Sequence, residues 1–154
     1  MVARGRGMSP TGTESGLQTL PADRAQLRTP LGEPKQMTDW QTTLKSEFDA
    51  DEGSFLIQLR PGLEWNKQAF VRLVIAMRAC CQESSGKASL ERWLANGFWY
   101  ISWFVEDWTT HEAFPRPFAA DYYDRAYEIL HDLAFWFFSG ESPYEEGFFP
   151  SPPE

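Results

Sequence analysis

All 24 aromatic residues of this 154-residue chain lie in residues 37–154, and none lies in residues 1–36. Aromatic side chains bury the most area per residue and dominate cores. Only the second part can therefore build a core of useful size. Residues 1–36 are rich in Gly, Pro, Ser, Thr and Gln and carry no periodic apolar pattern. Such a segment buries too little area to offset its ordering entropy. It is expected to be a disordered extension. Met37 opens the run Met37-Thr38-Asp39-Trp40. Either Met37 is the true first residue, or residues 1–36 are a genuine tail; the sequence leaves both open. The expected organisation is an extension at 1–36, a helical domain at 37–140 and an irregular tail at 141–154.

Within the aromatic-rich part, apolar residues recur at steps of three and four, the period of a helix with one buried face. Trp40, Leu44 and Phe48 define a short helix over 39–50 that Thr38 or Asp39 could cap. Phe55 to Leu59 reads as a second short helix, because no convincing strand exists to pair with it. Over 64–83, Phe70, Leu73, Val74, Met77, Cys80 and Cys81 share one sector of the wheel. Val71 and Ile75 fall among its polar residues and suggest a second packing surface. Residues 88–108 form the next helix, with Ser89 as its expected cap. It is apolar nearly all round, so it is central in its bundle or covers a partner. Gly97 in its interior is expected to admit a neighbouring helix or ring. Residues 120–139 carry Tyr123, Tyr127, Leu130, Ala134 and Phe137 on one stripe, and Gly140 fits a left-handed stop. Phe114 and Phe118 are expected to pin the Pro-containing loop between these helices to the core. Tyr144, Phe148 and Phe149 are expected to dock the tail in part. The fold class is all-α: three long helices in a compact bundle, with one or two short helices before them.

Charge divides as sharply as the aromatics. Residues 37–154 hold 9 basic and 19 acidic side chains, a formal charge of −10, whereas residues 1–36 carry +2. A domain this acidic repels phosphate backbones and anionic lipid surfaces, which argues against nucleic acid and membrane as partners. It favours a basic protein partner, although net charge also serves plain solubility. The longest apolar-rich stretch, Trp93 to Val105, is 13 residues long, short of the roughly 20 that a bilayer span needs. The only cysteines, Cys80 and Cys81, are adjacent. Neighbouring helical side chains diverge by about 100°, which strains a disulfide between them. They read as reduced, partly buried small apolar residues in a cytoplasmic protein.

Chemistry-bearing motifs are sparse. There is no Gly-x-Ser-x-Gly elbow and no Gly-rich phosphate loop, and no cofactor is implied. The two histidines sit near acids at helical spacing: Asp107 with His111, and Glu128 with His131. Imidazole and carboxylate together suit zinc, iron or manganese. Acids are so common here that roughly half of all histidines would show such a neighbour by chance.

The acids Glu106, Asp107 and Glu112 crowd the end of one helix, where the helix dipole is already negative. Trp108 and Phe114 interleave with them. A local conflict of this kind is the sort tolerated for function. Aromatic groups ringed by carboxylates suit Arg and Lys on a partner.

The leading expectation is therefore a small acidic, non-catalytic binding protein that neutralises or regulates a basic protein partner. Immunity proteins, the cognate inhibitors of basic nuclease toxins, are one case of that class. The alternatives are a metal or small-ligand bundle using Asp107, His111, Glu128 and His131, and a structural domain that forms a homodimer along Val71 and Ile75.

Overall fold

The computed structural model describes residues 39–154 as five helices, with no strand among them. The extension expected at 1–36, the question of Met37 and the cap offered by Thr38 lie outside the described residues. The helices are α1 (Asp39–Phe48), α2 (Phe55–Leu59), α3 (Lys67–Ser84), α4 (Arg92–Thr110) and α5 (Ala120–Ser139). α1 packs on α3, α4 on α5 and α3 on α5, with α2 bridging the first pair. None of these helices is long and apolar enough to cross a membrane.

Caps set the boundaries, and two differ from the expected positions. Asn66 turns its side-chain oxygen onto Ala69 N at 3.0 Å, so α3 starts at Lys67 rather than at 64. This frees Trp65 from the helix, and its indole N–H donates to the Tyr122 hydroxyl at 2.9 Å. α4 starts at Arg92, with Glu91 in the cap position and Ser89 exposed outside it. The Glu91 carboxylate caps nothing; it accepts instead from the Trp93 indole at 2.7 Å. α2 is helical, as expected, and Ser54 accepts from Ile57 N to cap it. Gly140 ends α5 at φ 77°, a left-handed stop that only glycine adopts at little cost.

The core is a continuous aromatic array. Trp65 lies at its centre, with the rings of Phe55, Phe70 and Tyr123 at 5.1, 5.2 and 5.1 Å. Phe98 of α4 stacks on Phe137 of α5 at 4.1 Å. Gly97 meets the Phe48 ring of α1, which fills the space a Cβ would take. Phe114 is buried and Phe118 rests on Tyr122 and Tyr123, so the loop between α4 and α5 is pinned as expected. The tail docks by Phe149, whose ring lies under the Arg78 guanidinium at 4.4 Å, and by half-buried Tyr144; Phe148 points to solvent.

Cys80 and Cys81 are both free and fully buried. Burial pushes the Cys80 thiol up to about 11 and the Cys81 thiol higher still, so neither forms a thiolate near neutrality.

α4 departs from the all-round burial its sequence suggests. Tyr127 and Phe137 are buried on α5, but Trp99 is 59% and Trp103 42% exposed. α4 packs on one side only, so its outer aromatics face water.

Candidate functional site

The acidic end of α4 is held by α5. Thr109 is buried and bonds both Val105 O and the Tyr127 hydroxyl at 2.6 Å, which extends α4 to Thr110. Glu106 reaches across to His131 of α5, with Oε2 and Nε2 3.3 Å apart. This pair and the Phe98–Phe137 stack fix the antiparallel register of the two helices. The register brings a further set of acids beside the α4 cluster. Asp121, Asp124, Glu128 and Asp132 recur at helical spacing along α5, and the first three are exposed. Among the described residues, only Asp121 of these has a cation at hand, Arg125 at 3.6 Å. Asp107 at the end of α4 and Glu112 in the loop after it are exposed as well.

Trp108 and Phe114 do not project as anchors. The Trp108 indole N–H donates to Leu59 O at 3.0 Å, and its ring stacks on Phe104. Phe114 is only 5% exposed. Together with Leu63, His111 and Ala113 they wall a small, almost wholly apolar socket of about 190 Å³. Leu63 adopts a left-handed φ of 47°, unusual for a branched side chain, and lines this socket while remaining 39% exposed. The feature is a small apolar receptacle, flanked in sequence by Asp107 and Glu112.

The residues of the metal reading are dispersed among other partners. His131 is engaged by Glu106, and His111 Nδ1 accepts from Ala113 N at 3.2 Å. Asp107 and Glu128 are exposed. Among the described residues, no group of three or more His, Cys, Asp or Glu side chains converges to hold a metal ion. The residues of the dimer reading lie elsewhere. Ile75 is 61% exposed and Val71 half-buried, along a shallow groove between α1 and α3 that Trp40 and Arg72 also line.

One acid outside this surface was not anticipated from the sequence. Glu47 of α1 is 1% exposed, accepts from Phe55 N at 2.7 Å and pairs with Arg72 at 3.1 Å. It clasps the start of α2 to α3.

Comparison with protein-family models, with curated proteins and with solved structures finds no match to this chain.

Proposed function

We propose that this protein binds a basic protein partner through the surface formed by the end of α4, the loop after it and the outer face of α5. The observation that carries the proposal is an apolar socket whose lining residues Trp108, His111 and Ala113 stand next in sequence to the exposed acids Asp107 and Glu112. Long cationic side chains have an apolar stem and a charged head. A partner's Arg or Lys fits this pairing: its stem enters the socket of Leu63, Trp108 and Phe114, and its head meets Asp107 or Glu112. The excess of ten negative charges over residues 37–154 steers a basic protein toward this side and speeds encounter. By covering cationic surface, such binding neutralises a partner whose activity depends on contact with an anion. This is the action of an inhibitor.

The reading is tested by paired capture from an extract of the protein's own source. The wild-type chain and an Asp107→Lys/Glu112→Lys variant serve as the two baits. The expected result is a protein of high isoelectric point retained by the wild type, released by salt and lost from the variant. Equal capture by both baits, or no basic protein on the wild type, overturns the reading. Both substitutions fall on exposed side chains, so surface changes of within about 0.5 kcal/mol leave the fold intact.

A further inference from the structure

Along α4, Tyr100, Phe104 and Trp108 form a row of stacked rings. Their centroids are 4.7 and 5.6 Å apart and their planes 12° and 23° from parallel. The row follows the four-residue step of the helix. It ends at Tyr100 because the preceding position in the step is Asn96, an amide without a ring. At that end lies a cleft of about 590 Å³ between α4 and the α1–α2 segment. Trp93 and Phe48 wall it, Asn96 and Tyr100 line its α4 side, and Lys45, Asp49 and Arg60 stand at its polar edge.

The charges at the cleft are not equivalent. Lys45 is paired with Asp49 at 2.9 Å. The Arg60 guanidinium rests on the Phe104 ring at 5.5 Å, and no carboxylate among the described residues pairs with it. In a domain with twice as many acids as bases, an uncompensated guanidinium beside a stacking surface selects for negative charge.

We infer that this cleft is a binding site for a flat aromatic molecule carrying an acidic group. The ring of such a ligand continues the Tyr100–Phe104–Trp108 row, at the centroid spacing that stacked aromatic pairs favour. Its acidic group meets Arg60, and the Asn96 amide is at hand for a polar substituent. The site stands apart from the α4–α5 acid surface, so each proposal can fail without the other.

The test uses anilinonaphthalene sulfonate as the anionic probe and phenylnaphthylamine as its uncharged twin, followed by probe fluorescence on the full chain. The sulfonate is expected to bind with one-to-one stoichiometry and about tenfold more tightly than the twin. Arg60→Glu should remove that preference. Asn96→Trp, which extends the row with a protein ring, should abolish binding. Phe138→Ala, at an exposed aromatic on α5, should leave the affinity unchanged. Equal affinity for the two probes overturns the inference. So does sensitivity to Phe138→Ala without sensitivity to Arg60→Glu, and so does the absence of binding. Arg60 is exposed, so its variant carries the test even where Asn96→Trp disturbs the helix.

Discussion

Replacing Glu47 with alanine should lower the unfolding free energy by about 3 kcal/mol, measured by urea denaturation with an unchanged slope. The carboxylate is buried, and each of its oxygens has one partner, Phe55 N and Arg72. Truncation strands the Phe55 N–H in the core, which alone costs about 1–3 kcal/mol. It also removes the tie between α1 and α3. Arg72 is half-exposed and recovers part of its loss from water and from Gly53 O, its second acceptor at 2.7 Å. The cost therefore falls at the lower end for a broken buried pair.

Glu47→Gln keeps an acceptor for Phe55 N and should cost less. It also isolates a pH effect. Burial is the largest influence on Glu47 and holds its pKa above the ordinary 4.5, against the opposing pull of Phe55 N–H and Arg72. The folded state thus takes up this proton more readily than the unfolded state. The group's contribution to stability is complete below 4.5 and is lost as pH rises through the higher folded value. Lowering the pH from neutrality toward 4.5 should widen the gap between the glutamine variant and a wild type that gains from protonation. A gap that narrows on acidification contradicts this account.

Gly97→Ala should destabilise the protein although alanine is the better helix former. Removing glycine from a helix interior gains about 1 kcal/mol. Here the new methyl meets the Phe48 ring, which also packs edge-on against Trp93 and Phe98 at 6.1 Å. Overpacking of this kind costs about 1–3 kcal/mol, so the net change is a loss of up to about 2 kcal/mol. The sign should reverse in a Phe48→Ala background, where the obstruction is gone and only the propensity gain remains. A double-mutant cycle measures the coupling directly. Additive effects would show that Phe48 does not define the fit at this glycine.

Gly97 shows how far the sequence alone reaches. A glycine inside a strongly apolar helix announces a close approach, and only the approaching ring had to come from the structure. The same holds for Gly140, whose left-handed stop follows from its place after a periodic stripe. Ser89 misled because a serine near a helix start is a good local cap, whereas Glu91 holds Trp93 and lets the helix begin later. The exposure of Trp99 escapes the sequence for a different reason. Periodicity finds which residues share a face, but the number of neighbours a helix acquires is a tertiary property. Glu47 stood one turn beyond Leu44 on the Trp40 stripe, and an acid on an apolar stripe is the signal that was there to find. Of the candidate surface, Glu106, Asp107 and Glu112 were legible as a local cluster. The α5 acids cannot be joined to Glu106 from spacing, because the register of the two helices rests on the tertiary contacts Phe98–Phe137 and Glu106–His131. For the same reason a projecting anchor at Trp108 and Phe114 became a socket once Leu63 arrived from a distant loop.

Under the proposed function, the acids at the end of α4 attract a basic protein through their charge. The most direct measurement is the association rate of the captured partner with the wild-type chain and with Asp107→Lys/Glu112→Lys, followed across rising ionic strength. The account predicts a wild-type rate that falls about tenfold or more as salt screens the field, and a variant rate that is slower and nearly flat. A wild-type rate indifferent to salt, or two superimposable curves, would contradict it.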